Sequence, residues 1–307
     1  MGITESQPNN LPGQGRFYNF MKIRTHFATA LISALALVSA PAVAQNVNAD
    51  SNDNQVSVIQ ISDTHLGDKH APHAAENLRQ AVKMINDRHP DAVILSGDIG
   101  ENPQAWDEAK SILKKVNSPL YYVPGNHDVH SRDVERYRQA FGKDYYEFQV
   151  KYVNFVVIDS QLLGNYDTYE AKTPVPLPAE TEDESERMLS WLNGLQEEQR
   201  TAKKIVIGVQ HIPVFHDGRF PDPKPYWVIS EPYRSQEMKA LRQLGITHML
   251  VGHWHNGRVF ESEGISWHVA PSTSWLPWGG ELGFAVHTIS PNGKVQTEFV
   301  ALPGAIP

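Results

Sequence analysis

Cysteine is missing from all 307 positions. That excludes disulfides, thiolate metal ligands, a cysteine nucleophile and a lipid anchor on a lipobox cysteine. A membrane-spanning apolar run is missing from the N-terminal region too: Phe27 to Ala40 falls short of the ~20 residues a spanning helix needs and is interrupted by Thr29 and Ser33. Met21-Lys22-Ile23-Arg24 precedes that run and Ala42-Val43-Ala44 follows it. This is the order of a basic n-region, an h-region and an A-x-A cleavage site, so residues 21–44 read as a signal peptide cut before Gln45. Residues 1–20 read as an unstructured upstream extension, with Met21 as the translation start, and residues 45–55 as a linker. The expectation is a secreted or periplasmic bacterial protein whose mature chain keeps no membrane anchor. Surplus basic charge is lacking as well. Loss of residues 1–44 removes Arg16, Lys22 and Arg24 against Glu5, leaving 24 basic and 34 acidic residues, a net charge of −10. Such a surface argues against a nucleic-acid polymer as partner.

What remains is ordinary globular material, 40% hydrophobic and 20% charged, without repeats or heptads. Val56 to Ile61, Ala92 to Leu95, Leu120 to Val123, Phe155 to Ile158, Ile205 to Val209 and Met249 to Val251 read as buried strands. Leu78, Val82 and Ile85 recur at helical spacing, as do Met238, Leu241 and Leu244. Strands alternating with helices predict a layered α/β fold in one domain over residues 56–303. Gly164 to Glu186 and Pro213 to Tyr233 break the rhythm and read as lids or binding loops.

Each predicted strand stops where polar residues begin. Asp63-Thr64-His65, Gly97-Asp98, Gly125-Asn126-His127-Asp128, His211 and Gly252-His253-Trp254-His255 lie at five such ends. Singly these are weak signals, since Asp-x-His is common by chance and a lone His211 reads first as a hydrogen-bonded structural histidine. Together they change meaning, because the carboxyl ends of strands in an α/β sheet open onto one crevice. Carboxylate and imidazole ligands together suit Mn, Fe, Zn or Ni better than Mg or Ca. On an extended segment residues i and i+2 point the same way, which would present Asp63 with His65 and His253 with His255. Gly97, Gly125 and Gly252 would allow tight turns and close approach.

The ordered set D-x-H, G-D, G-N-H-D, strand-end His and G-H-x-H resembles the calcineurin-like metallophosphoesterase superfamily. Phe141-Gly142-Lys143-Asp144-Tyr145-Tyr146, Ile158-Asp159-Ser160-Gln161 and Gln210-His211-Ile212-Pro213 further resemble the calcineurin-like phosphoesterase domain-containing group, whose eukaryotic members act on phosphoproteins. The resemblance implies two mixed β-sheets packed as a sandwich between helices, a four-layer αββα fold. It implies that Asp63, His65, Asp98 and His255 hold one ion and that Asp98, Asn126, His211 and His253 hold a second. It also implies in-line attack of a metal-bridging hydroxide on a phosphorylated substrate, with His127 contacting the phosphoryl oxygens or protonating the leaving group. Asp128 is expected to orient the loop or His127. The tyrosine that purple acid phosphatases carry after Gly-Asp is replaced here by Ile99-Gly100-Glu101-Asn102, and the arginine block of calcineurin itself is absent.

Other residues carry two readings. Tyr226, Trp227, Trp275 and Trp278 rim a pocket for an aryl or nucleobase group, or fill loops. Arg219, Arg234 and Arg258 are phosphate clamps or solvated surface arginines. The acidic run Glu180 to Glu186 reads as a solvated helix start capped by Thr181 or Asp183. Three functions compete: a phosphomonoesterase, a phosphodiesterase on a cyclic nucleotide or lipid head group, and a non-catalytic protein-binding scaffold, of which the complete ligand set favours the first.

Overall fold

The computed structural model describes residues 54–129, 133–202, 204–218 and 224–307. The expected extension, signal peptide and nearly all of the linker lie outside the described residues, as does Arg219. The elements, in chain order, are β1 (Val56–Ile61), α1 (Ala74–Arg88), β2 (Ala92–Ser96), α2 (Pro103–Leu113), β3 (Leu120–Val123), α3 (Val134–Phe141), β4 (Tyr146–Val150), β5 (Val153–Val157), α4 (Ala179–Ala202), β6 (Ile205–Val209), α5 (Tyr233–Gln243), β7 (His248–Val251), β8 (Arg258–Ser262), β9 (Ile265–Val269), β10 (Gly283–Ile289) and β11 (Val295–Ala301).

They form two mixed sheets, ordered β11-β10-β1-β2-β3 and β4-β5-β6-β7-β9-β8. Strand alternation makes the sandwich. Val56 and Val58 of β1 and Ala92 and Ile94 of β2 share a core with Phe155 and Val157 of β5 and Ile207 and Val209 of β6. The alternate residues Ile59, Ile61, Val93 and Leu95 belong instead to the core that includes the helices, with Leu78, Val82, Ile85, Met238 and Leu241. The expected four-layer αββα architecture is present.

Five strands went unrecognised in the sequence, namely β4 and β8 to β11. Arg258–Ser262 alternates buried or half-buried residues with exposed ones, Val295–Ala301 does so as far as Glu298, and both carry charged side chains, so neither forms a continuous apolar run. The helix at the acidic run begins at Ala179, with Thr181 and Asp183 inside its first turns rather than capping it. The amide of Thr181 bonds to Pro178 O. Proline at residue 178 carries the chain into the helix without a side-chain cap of the Ser/Thr/Asp type.

A polar seam runs between the sheets. His248 Nδ1 donates to His268 Nε2 at 3.0 Å, and His268 Nδ1 to Thr297 Oγ1 at 2.7 Å. The Thr297 hydroxyl donates to His287 Nδ1 at 2.9 Å, and His287 Nε2 donates to Gln60 Oε1 at 3.0 Å. Gln60 Nε2 reaches Ser96 Oγ at 2.7 Å. Every donation runs one way, which requires neutral imidazoles. Burial enforces this, pushing His268 down to about 3 and His287 well below the ordinary range.

Glu237 on α5 is fully buried beside Gln210, without hydrogen-bond geometry for either carboxyl oxygen. Burial raises its carboxyl to about 8 from an ordinary 4.5. A carboxyl raised on folding binds more protons in the native state, so its contribution is complete below about pH 4.5 and is lost as pH rises through 8. Urea titrations of Glu237→Gln should show a flatter stability profile from pH 5 to 8, the wild type losing on the order of 4 kcal/mol more across that window. Parallel profiles would show that Glu237 is ionised in the native protein.

Candidate metal centre

The parallel strands β1, β2, β3, β6 and β7 end at one edge of the sandwich, and the five polar blocks follow those five ends. Short backbone bonds tie the loops together: Asp63 N donates to Gly97 O at 3.0 Å, His65 N to Asp98 O at 2.9 Å and Gly252 N to His211 O at 2.9 Å. Asp128 joins the second and third loops, its carboxylate accepting from Ile99 N and Gly125 N, both at 2.9 Å. This is the loop-orienting place expected for it.

The pairs Asp63/His65 and His253/His255 do not reach one face by strand alternation. Asp63, His65, Asp98, His253 and His255 all have positive φ, between 41° and 69°. A left-handed step at each turns its side chain inward where an extended strand would have carried the chain past. Gly97 is also left-handed, at 94°. Gly125 is needed for space rather than for φ, since a Cβ there would overlap Asp98.

The side chains form two groups that share one carboxylate. Ligand atoms of Asp63, His65, Asp98 and His255 lie within 4.8 Å of one another, as do those of Asp98, His211 and His253. Asn126 joins the second group through Tyr226, its Nδ2 donating to the Tyr226 hydroxyl at 3.0 Å, while its Oδ1 has no partner.

Hydrogen bonds outside these groups fix the imidazole tautomers. His65 Nδ1 donates to Glu101 at 3.0 Å, and His255 Nδ1 to Trp275 O at 2.9 Å. Their Nε2 lone pairs therefore face each other at 3.1 Å. Two lone pairs at that distance repel unless a cation or a proton lies between them. His211 Nδ1 donates to Ser96 O at 2.7 Å, leaving Nε2 at 3.1 Å from Asp98 Oδ2, close but not in hydrogen-bond geometry. His253 Nε2 donates to Tyr226 O at 2.8 Å, leaving Nδ1 for a ligand. Orphaned lone pairs on buried imidazoles, an orphaned Asn126 oxygen and two buried carboxylates fit divalent transition-metal ions, and each histidine has the outer hydrogen bond that orients a metal ligand.

Charge agrees for the two carboxylates and His253 but not for His211, where Asp98 and Asp63 outweigh burial and raise the ring to about 9, so a proton there must leave before the ring can take an ion. Burial opposes ionisation of Asp63, but His255 and His211 hold its carboxyl down to about 2. Burial also opposes ionisation of Asp98, which His211 and His127 nevertheless bring well below the usual carboxylate range. Burial, reinforced by His211, pushes His253 down to about 3, the neutral form a metal requires.

His127 stands beside both groups. Its backbone N donates to Asp98 Oδ1 at 2.9 Å, and its Nδ1 to Glu101 Oε2 at 2.8 Å. Burial lowers its basicity, but Asp98 and Glu101 outweigh that and raise it to about 10. Glu101 thus grips His65 with one oxygen and His127 with the other, a role not legible in the sequence. Its position is set by the start of α2, where Asn102 accepts from Ala105 N at 3.0 Å and Trp106 Nε1 donates to Gly100 O at 2.9 Å. Tyr226 is the other unexpected contributor, joined to two candidate ligands by its hydroxyl and its carbonyl.

Asp98, His127, His253 and His255 line a cavity of about 470 Å³. Arg258 is buried away from it on Asp217 at 2.7 Å, so it is neither a clamp there nor solvated. Arg234 donates to Ile229 O at 2.9 Å. His216 packs by Trp254.

Similar proteins place this geometry. The mouse protein named serine/threonine-protein phosphatase CPPED1 is 30% identical over 191 residues, covering 57% of this chain and 57% of that protein. Its zebrafish counterpart is 25% identical over 258 residues, covering 78% of this chain and 77% of that one. The chain spans about 57% of the length of the first of these curated relatives. In structure, a dimetal phosphatase from Danio rerio superposes with a TM-score of 0.64 at 16% identity, over 80% of this chain and 96% of that one, a likeness of fold. The calcineurin-like phosphoesterase family model matches residues 56–257, which hold the whole ligand set, and the chain belongs to that family.

Proposed function

We propose that the protein is an exported phosphoesterase that uses two transition-metal ions, drawn from Mn, Fe, Zn and Ni, to hydrolyse phosphate monoesters. The observation that carries this reading is the sharing of Asp98 between the two ligand groups, with His127 beside them at the cavity. Asp63, His65, Asp98 and His255 would hold one ion, and Asp98, Asn126, His211 and His253 the other. Bound there, such ions activate water as a nucleophile and neutralise charge that develops on the phosphoryl oxygens. The protein's own groups do the rest. Glu101 fixes the His65 and His127 rings, Tyr226 holds Asn126 and His253, and His127 is placed to give a proton to the departing oxygen. Export rests on the n-region, h-region and A-x-A order of residues 21–44, and the acidic mature chain favours a small phosphorylated substrate over a nucleic-acid polymer.

The test is hydrolysis of p-nitrophenyl phosphate and bis(p-nitrophenyl) phosphate by protein from the periplasmic fraction, its mass showing whether it begins at Gln45. The protein is first stripped with a chelator and then given Mn, Zn, Fe or Ni in turn. Activity lost on stripping, restored by metal and greater on the monoester is the expected result. Greater activity on the diester would make the enzyme a phosphodiesterase, and stoichiometric metal without turnover of either would favour the scaffold.

A further inference from the structure

The cavity in front of the ligand groups is walled mainly by rings. Trp227 is packed edge to face with Tyr226 at 5.0 Å and 89°, Tyr169 at 5.7 Å and 86°, and Trp278 at 4.8 Å and 73°. Trp275 stands edge to face with His255 at 5.2 Å and 78°, and stacks on His70 at 5.2 Å and 12°. Tyr169 and Trp278 are 45% and 47% exposed, so large apolar area is left open to water within the cavity that reaches His127. Its volume of about 470 Å³ lies in the small-molecule range, roughly 300–1,000 Å³, rather than suggesting a trough for a folded protein.

Charge narrows the class. Among the described residues lining the cavity there is no lysine or arginine. The nearby Lys224 ammonium lies 3.9 Å from the Tyr169 ring centre and is paired with Glu170 at 3.2 Å. Beyond the His127 ring, which Glu101 holds and which serves the departing oxygen, a leaving group carrying further negative charge finds no cation among these residues. A cationic leaving group fares little better. The Asp68 Oδ1 atom already takes both His70 N at 2.7 Å and His70 Nδ1 at 3.1 Å, and Lys224 covers one face of Tyr169. An uncharged ring gains from burial against these walls and forfeits no hydrogen bonds.

We propose that the leaving group is a small uncharged aromatic alcohol, so that the substrates are aryl or arylalkyl phosphates; this rests on the phosphoesterase reading above. Water oxygen bonds to phosphorus, the ester P–O bond breaks, and the released alcohol oxygen takes the proton, giving inorganic phosphate and a neutral aromatic alcohol. The aromatic walls receive that alcohol's ring.

The test compares 2-phenylethyl phosphate with ethyl phosphate, two alkyl esters whose reacting bonds are chemically alike. The expected kcat/KM ratio is at least roughly tenfold in favour of the phenylethyl ester, falling to within about threefold in a folded Trp278→Ala variant. Calorimetry of 2-phenylethylphosphonate against ethylphosphonate, which cannot be hydrolysed, should show the same preference in Kd. Equal turnover of the two esters with equal binding of the phosphonates would overturn the proposal and leave the phosphoesterase reading intact. Preferential phosphonate binding without turnover of either ester would uphold the aromatic site and overturn the catalytic reading. Phosphocholine handled better than 2-phenylethyl phosphate would overturn the proposal in favour of a cation cage.

Discussion

Asp98→Asn should abolish metal-dependent behaviour in both stability and turnover. Asp98 belongs to both ligand groups, with Oδ2 at 3.1 Å from His211 Nε2 and 3.6 Å from His65 Nε2, so one substitution weakens both at once. Ligands that bind only the native state stabilise it by mass action, by about 4 kcal/mol at a thousandfold excess over Kd. For a chain of this size that corresponds to a rise on the order of 10 °C in Tm. The wild type should show such a rise when stripped protein receives Mn or Zn, and the variant should show almost none. Turnover should fall by at least about 10³-fold, since charge neutralisation and water activation both depend on the pair of ions. The stripped variant should itself melt lower than stripped wild type at neutral pH, because His211 and His127 hold Asp98 well below the usual carboxylate range and its charge therefore stabilises the native state. An active variant with an undiminished metal-induced shift would refute the shared-carboxylate assignment.

His127→Ala should separate binding from chemistry. The side chain belongs to neither of the two ligand groups that share Asp98, so the metal-induced rise in Tm should survive. If its ring gives a proton to the leaving oxygen, turnover of a poor leaving group such as an alkoxide should fall by roughly 10²–10⁴-fold. The fall should be much smaller for p-nitrophenolate, which leaves readily without a proton. Equal losses on both substrates would mean that His127 stabilises phosphoryl oxygens instead. No loss on either would remove it from the reaction.

Much of this site was legible because its chemistry is local in sequence. Four of the five ligand blocks are two to four residues long, the fifth is His211 alone, and all sit where apolar runs end; buried strands such as Val56–Ile61 have the same bounds in sequence pattern and structure. What was hidden depends on contacts between distant segments. Glu101 is three residues past Asp98, but its link to His127 exists only because Asp128 draws the two loops together. Tyr226 was read as a pocket wall or a loop filler, since nothing local reveals that its carbonyl meets His253. Backbone sign was hidden as well: D-x-H and H-x-H fit strand alternation, whereas the chain makes left-handed steps there. The edge strands β4, β8 and β11 were missed because a strand with one face in water carries charged or polar side chains there and offers no apolar run.

Those left-handed steps have a consequence for how such a protein changes over generations. Five candidate ligands hold a conformation that non-glycine residues avoid, at a cost on the order of 1 kcal/mol each. With metal bound, coordination offsets that cost; without it the strain is simply carried. In a lineage that no longer needs the reaction, replacing Asp63, His65, Asp98, His253 or His255 by glycine relieves that strain. Loss of the centre would then recover that strain while leaving the apolar sandwich beneath it untouched, so such descendants would keep the shape and shed the ligands first. An unbroken set of strained ligands is therefore itself a sign of a centre still held in place by use.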